Sequence, residues 1–156
     1  MKIEKERKRS GWFSHTTTDV FITDDDKKFY DKTEAENWEW YLNNKLRILD
    51  TYKFGDVSPY TLGLHYIVDP TFSYKFFLDT YTKEKENDIV NYLYGHLKEI
   101  GIEYRKEKVD TMVKNHIKNK VGGWYVVILD KHYNRGNELH FFLMTDLVTS
   151  KVINEI

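Results

Sequence analysis

Gly122-Gly-Trp-Tyr-Val-Val-Ile-Leu-Asp130, followed after seven residues by Glu138-Leu-His-Phe-Phe-Leu-Met-Thr145, is the stretch on which the fold turns. Both halves are runs of aromatic and β-branched residues, the types that favour strand over helix. The connection, Lys131-His-Tyr-Asn-Arg-Gly-Asn137, has Asn and Gly where a turn needs positive φ. On the first strand Trp124, Val126 and Ile128 alternate with Tyr125, Val127 and Leu129, so neither face is polar. A strand apolar on both faces is covered on both, which puts this hairpin in the middle of a sheet.

Upstream of it, Asp110 and the apolar series Met112, Val113, His116, Ile117 and Val121 predict a short helix ending at Gly122. Ile102–Lys108 alternates Lys and Glu like a polar edge strand. Residues 83–100 read as a longer helix, capped by Thr82, with Ile89, Leu93, Leu97 and Ile100 inward and Gly101 at its end. Tyr60-Thr-Leu-Gly-Leu-His-Tyr-Ile-Val68 alternates in period two, as do Phe72, Tyr74, Phe76 and Leu78 beyond the Asp69-Pro70 turn, so 60–78 reads as a second hairpin. Thr33 and Glu36 make a capping box for a helix over 34–52. Its wheel puts Ala35, Trp38, Tyr41, Leu42, Leu46, Leu49 and Tyr52 on the core side. Before it, Thr18–Thr23 reads as a strand and Phe29-Tyr30 as a short return strand. Residues 147–156 are either a last strand or a short helix. Together these elements predict an α+β fold: a single domain over 11–156, with an antiparallel sheet of about five or six strands packed with three helices. A flexible basic arm over 1–10 precedes it.

The 156 residues carry 24 Lys and Arg against 25 Asp and Glu, so no global charge attracts nucleic acid. The absence of Cys removes disulfides and thiolate metal sites and fits a reducing compartment. No apolar leader opens the chain, and no apolar run approaches the roughly 18 residues of a membrane span, so a cytoplasmic protein is expected. Ala35 is the sole alanine and Gln is missing, against abundant Lys, Asn, Ile, Tyr and Phe, the bias of an AT-rich genome. That bias does not produce four Trp. Part of the aromatic content is therefore expected to serve contact, where Trp and Tyr are favoured anchors.

Phe21-Ile-Thr-Asp-Asp-Asp-Lys-Lys-Phe-Tyr-Asp-Lys-Thr-Glu-Ala-Glu-Asn-Trp-Glu39 resembles an element of small bacteriophage and prophage accessory proteins. That element is a strand, a short acidic turn, an F-x-x-K/D-x-E-A junction and an acidic helix. Here Asp stands where a turn Gly is usual, and Trp38 where His is frequent. The resemblance implies a phage origin, hence a host-cell cytoplasm, and brings no catalytic residues. The order of elements in the C-terminal half is loosely similar to dynein light chains, which bind peptides by adding a strand to a sheet edge.

The residues offer three kinds of site. On the outer face of the first helix Trp40 stands with Glu36, Asn44 and Arg47, and the acidic turn Asp24, Asp25 and Asp26 precedes it. As a contact patch they predict a phage-derived, non-enzymatic binding protein that inhibits or sequesters a host protein, an anti-defence (anti-CRISPR-like) inhibitor whose acidic residues steer a basic partner. No cofactor is expected and a homodimer is allowed. The plainer readings are that residues 1–13, with Trp12 and Phe13, cover Trp40, and that the acidic residues are a solvated face with favourable charge near the helix N-terminus. The second kind is a sponge holding a nucleotide signalling molecule between aromatic and Lys/Arg side chains. The third is a metal-dependent or two-histidine phosphodiesterase. An odd-numbered loop over 133–137 would set His132 opposite Glu138 and Asp130 opposite His140, donors for a divalent metal or for acid–base chemistry. Ordinary polar pairing at the wet end of a hairpin accounts for the same residues. His15-Thr-Thr17 matches one H-x-T of the two-histidine phosphodiesterases, but His65-Tyr-Ile67 and His140-Phe-Phe142 lack the hydroxyl of a second. His116, on the apolar side of its helix, reads as a hydrogen-bonded boundary residue. With no Gly-rich phosphate loop, G-x-S-x-G or H-E-x-x-H, catalysis is the less expected class.

Overall fold

The computed structural model describes residues 1–9, 15–118, 122–132 and 136–144, with backbone only at 8, 9, 15 and 16. The chain runs β1 (Lys2–Arg9), β2 (His15–Ile22), β3 (Lys28–Phe29), α1 (Lys32–Thr51), β4 (Gly55–Asp56), a 3₁₀ turn (Tyr60–Leu62), β5 (Pro70–Leu78), α2 (Lys83–Glu99), α3 (Lys106–Ile117), β6 (Gly123–His132) and β7 (Gly136–Leu143). The class is α+β with three α-helices among the described residues. The strands, however, form two antiparallel sheets, β1-β2-β3 and β4-β5-β6-β7, where one was expected.

Strand β6 lies between β5 and β7, as its doubly apolar sequence requires. Tyr125, Val127 and Leu129 join Phe72, Phe76 and Phe141 in the main core, against Trp38, Tyr41 and Ile48 of α1, Ile89, Leu93 and Leu97 of α2, and Val109, Val113 and Ile117 of α3. On the opposite face Val126 and Ile128 are covered by Leu64 and Ile67 from the loop before β5.

That loop overturns the expected strand over Tyr60–Val68. Pro59 and a left-handed Gly63 (φ 77°) bracket the 3₁₀ turn. Leu64 and Ile67 dip into the small second core while Tyr66 and Val68 stay exposed, so the alternation marks points of anchorage and not a pleat. Residues 102–108 do not form an edge strand either. Val109, Val113 and Ile117, four apart, are the buried stripe of α3, which therefore begins at Lys106 and not after Asp110.

Helix α1 also begins earlier than the Thr33–Glu36 box suggests. Asp31 is its N-cap, with Oδ1 accepting the Glu34 N–H at 3.1 Å, a carboxylate that satisfies an orphan amide and complements the helix dipole. Its buried stripe is Ala35, Trp38, Tyr41 and Ile48, leaving Leu46 75% and Leu49 36% exposed where both were expected inside. The helix is rotated to this phase by α2. Gly95 lets the Tyr41 ring lie directly on the α2 backbone, since a Cβ there would fall 2.3 Å from Tyr41 Cγ. In α2 itself, the Thr82 side chain accepts the Lys85 N–H and Gly101 (φ 79°) ends the helix, as the sequence indicates.

The basic N-terminal segment, expected as an arm outside the domain, forms β1 and pairs with β2 from Lys2↔Ile22 to Arg9↔His15. Ladder hydrogen bonds and the Lys5–Asp19 ion pair hold it there. Trp12, Phe13, Val121 and residues 147–156 lie outside the described residues. No described helix is long and apolar enough to cross a membrane.

Candidate functional site

Strand β4 is two residues long, and the groove between α1, α2 and β5 is left open beside it. The opening is a cleft of about 430 Å³. Its walls are Tyr41 of α1, Phe54 of the α1–β4 connection, Tyr74 of β5 and Tyr92 of α2. Phe54 lies 4.9 Å from Tyr92 and 6.5 Å, edge-on, from Tyr74 between ring centroids. Leu46 and Leu49 border it from α1, and Lys45, Asp56 and Glu99 stand in its lining.

His96 sits among the tyrosines. Its Nδ1 is 3.5 Å from the Tyr41 hydroxyl and its Nε2 3.2 Å from that of Tyr74, and the ring stacks on Tyr92 at 5.8 Å. Burial holds its pKa below the ordinary histidine value, with Glu99 opposing and Lys45 assisting, so the ring is neutral at pH 7 and carries one donor and one acceptor. Burial also pushes the hydroxyls of Tyr74 and Tyr92 up. It does the same to Tyr41, where the Glu99 carboxylate adds its charge. One direction of donation satisfies both bonds to the neutral ring: Tyr74 O–H to His96 Nε2, and His96 Nδ1–H to Tyr41. The Tyr74 O–H and the imidazole N–H are thus spent within the wall of the cleft.

A larger hollow of about 780 Å³ lies where β3 and the start of α3 face the end of α2, lined among others by Lys27, Phe29, Glu34, Tyr94, Lys98, Tyr104, Arg105 and Lys106. Burial raises the Glu34 carboxyl, but hydrogen bonds from Lys98 and Tyr94 outweigh it and hold the pKa below the usual range. Lys98 and Lys27 stand 5.1 and 5.7 Å from the centre of the Phe29 ring, and Lys27 is 4.1 Å from that of Trp38. Arg105, the N-cap of α3, gives no side-chain hydrogen bond to that helix end.

The structure divides the expected contact residues between two tasks. Asp24 and Asp25 line a hollow of about 240 Å³ with Glu39, Leu42 and Asn43. Asp24 accepts the Met1 amino group at 3.0 Å, and its own N–H donates to Glu39 at 3.0 Å. Asp25 accepts from Thr23 and from Trp38 Nε1 at 2.9 Å; burial raises its pKa, but these bonds prevail and lower it. Asp26 takes the turn's left-handed position (φ 64°). Trp40, by contrast, is half-buried against the main core. Asn44 Nδ2 donates to the Trp40 carbonyl at 2.8 Å, and Arg47 donates to Asn44 and to Asp88 of α2 at 3.2–3.3 Å, so Arg47, held by Asn44, ties α1 to α2. Glu36 is exposed, 3.8 Å from Lys32.

On the β6–β7 hairpin the register is Asp130↔Glu138, His132↔Gly136 and Ile128↔His140, one pair away from the expected facing of His132 with Glu138 and of Asp130 with His140. Asp130 is 1% exposed and accepts the Val68 and Asp69 N–H groups at 3.3 and 2.7 Å, so it fastens the loop that covers the sheet. His140 Nε2 is 3.6 Å from Glu138. Among the described residues no group of three or more His, Asp or Glu is placed to hold a metal ion. His116 Nδ1 donates to the Met112 carbonyl at 2.7 Å, the boundary role expected of it. The His15 side chain lies outside the described residues.

Sequence reasoning missed the aromatic cleft, although a signal existed. Tyr92, His96 and Glu99 recur at i, i+4 and i+7 on α2, beside the apolar stripe of Ile89, Leu93 and Leu97. No family model matches the chain, and no characterised protein or solved structure matches it significantly.

Proposed function

We propose that this chain is a non-enzymatic binding protein that seizes a partner protein at the cleft between α1, α2 and β4–β5 and so blocks or sequesters it. The observation that carries this reading is Leu46, 75% exposed on the border of an aromatic cleft. A large apolar side chain left in water beside a pocket walled by Tyr and Phe is the anatomy of an interface hot spot. Inhibition of a host factor is the biological form suggested by the phage-like segment 21–39. The test is affinity capture from a host lysate with the wild type and with Leu46→Asp, after circular dichroism shows that both fold. A protein held by the wild type and lost by the variant supports the role. Equal capture by both overturns it.

A second reading, a nucleotide sponge, is favoured by the larger hollow. Lys27, Arg105 and Lys106 stand there with Tyr104 at the uncapped start of α3, where free backbone N–H groups attract phosphate. A nucleotide released on denaturing the purified protein, and absent from Lys27→Ala/Arg105→Ala, would support it. A ligand-free wild type would oppose it.

A further inference from the structure

The aromatic cleft has a charge preference. Its walls are aromatic rings, whose faces carry the negative end of the quadrupole. The Tyr74 hydroxyl proton and the imidazole N–H are committed to the Tyr74–His96–Tyr41 chain, and the charged acceptors in the lining are the carboxylates of Asp56 and Glu99. Asp56 pairs with Tyr74 across β4 and β5, which places both on the helix-facing side of the sheet. Asp56 has no ion-pair partner among the described residues. His96 is neutral and repels nothing.

The molecule already sets one cation against this surface. Lys45 Nζ is 3.2 Å from Glu99 Oε2 and 5.6 Å from the centre of the Tyr41 ring. Lys45 neutralises the Glu99 side of the cleft and leaves the Asp56 side unmatched. At about 430 Å³ the space is in the lower part of the range for ligand sites, about 300–1,000 Å³, and suits one long side chain.

We infer that the cleft receives the guanidinium of an arginine side chain presented by the partner protein, laid against Tyr74 and Tyr92 and paired with Asp56 and Glu99. This rests on the reading that the cleft is where a partner binds. Arginine fits better than lysine for three reasons. Its planar group stacks on aromatic faces, its forked donors match two carboxylates, and it is the more weakly hydrated cation to bring against a greasy wall.

The experiment is an NMR titration of the full chain with the capped tripeptide Gly-Arg-Gly, its citrulline counterpart and its lysine counterpart, following the Tyr41, Tyr74, Tyr92 and His96 side-chain signals. The arginine peptide should shift these signals saturably. The citrulline peptide, equal in shape but uncharged, should bind at least about tenfold more weakly, the scale of one charge-assisted hydrogen bond. Asp56→Asn should weaken the arginine peptide several-fold. Lys45→Met should tighten it, because Glu99 loses its resident cation. No saturable shift, equal binding of citrulline, or weaker binding to Lys45→Met would each overturn the inference. A captured protein lost with Leu46→Asp but retained in full by Asp56→Asn/Glu99→Gln would remove the arginine and leave the binding role. Capture unaffected by Leu46→Asp removes the role itself.

Discussion

Replacing Gly95 with Ala tests the helix crossing on which the cleft stands. The added Cβ would lie 2.3 Å from Tyr41 Cγ, 2.4 Å from Cδ2 and 2.6 Å from Cβ, where carbon atoms prefer about 3.5–4.0 Å. Tyr41 has no room to yield. It is 1% exposed, its ring is held 5.5 Å from Trp38 and 5.8 Å from Tyr92, and its hydroxyl meets His96. Swinging Tyr41 out would forfeit about 1.5–3 kcal/mol of burial and about 1 kcal/mol of hydrogen bonding. Prying the helices apart is no cheaper, because three carbon contacts under 3 Å put the overpacking at the upper end of the usual range, about 3 kcal/mol. Alanine returns about 1 kcal/mol of helix propensity. The net expectation is a loss of about 1.5–3 kcal/mol, or roughly 3–12 °C in Tm for a domain of this size. Urea denaturation followed by far-UV circular dichroism, with an unchanged m-value, measures it. The decisive arm is the same substitution in a Tyr41→Ala background. With the ring gone, Gly95→Ala should become stabilising by about 1 kcal/mol, because only the propensity gain remains. A Gly95→Ala protein as stable as wild type, or equally destabilised in both backgrounds, would refute the argument.

Asp88 accepts the Tyr52 hydroxyl at 2.7 Å and both Arg47 terminal nitrogens at 3.2–3.3 Å, so Asp88→Ala should cost about 1.5–3 kcal/mol in a thermal melt, the scale of hydrogen bonds to a charged group. Arg47→Ala should cost less, since the arginine is half exposed. Burial depresses the folded pKa of His96, so below about 6.5 the unfolded chain binds a proton that the folded one refuses. Stability is then intact above that pH and falls as pH drops toward the depressed value, by at most about 1.4 kcal/mol per pH unit. His96→Gln should flatten the slope of urea-derived stability between about pH 7 and pH 5, and an unaltered slope would count against a buried neutral imidazole. Asp130→Ala should speed amide exchange at Val68 and Asp69 by about tenfold or more while the β6 amides stay protected. Unchanged exchange there would mean the carboxylate does not fasten the loop.

What was legible in the sequence is what local rules decide. β6 shows itself because a strand buried on both faces has no polar residue to spare, and α2 because Thr82, Ile89, Leu93, Leu97 and Gly101 mark its cap, its stripe and its end. The phase of α1 was not legible. A helical wheel fits Leu42, Leu46 and Leu49 as well as it fits Ile48, and the choice is made by a glycine 54 positions from Tyr41. The false strand over Tyr60–Val68 has a related origin, since period-two hydrophobicity cannot register the left-handed Gly63 that turns the chain. At the hairpin the strands alone leave the loop's parity and length open; the register closes at His132↔Gly136, so Asp130 meets Glu138 and not His140. The cleft draws Tyr41, Asp56, Tyr74 and His96 from four separate elements, and no spacing along the chain announces that.

The aromatic surplus has an internal use before any external one. Ring contacts run without a break from Trp38 through Tyr41, Tyr92, Phe54, Phe76 and Tyr125 to Phe141, each step between 4.9 and 5.9 Å. A core containing tyrosines differs from a leucine core in one obligation: every buried hydroxyl must find a partner. Tyr52 meets it with Asp88, Tyr94 with Glu34, and Tyr41 and Tyr74 with His96. The partners are charged or polar and must themselves reach water, so the aromatic tract opens to the surface where those groups cluster. A cleft walled by rings and edged by carboxylates is thus a consequence of how this core is satisfied. Its existence alone does not imply a ligand, because the fold would need it anyway. Leu46 is different: no hydroxyl, cap or core contact requires a large apolar side chain at that edge, and a polar residue there would cost the isolated fold nothing. It is therefore Leu46, and not the rings behind it, that points to a partner.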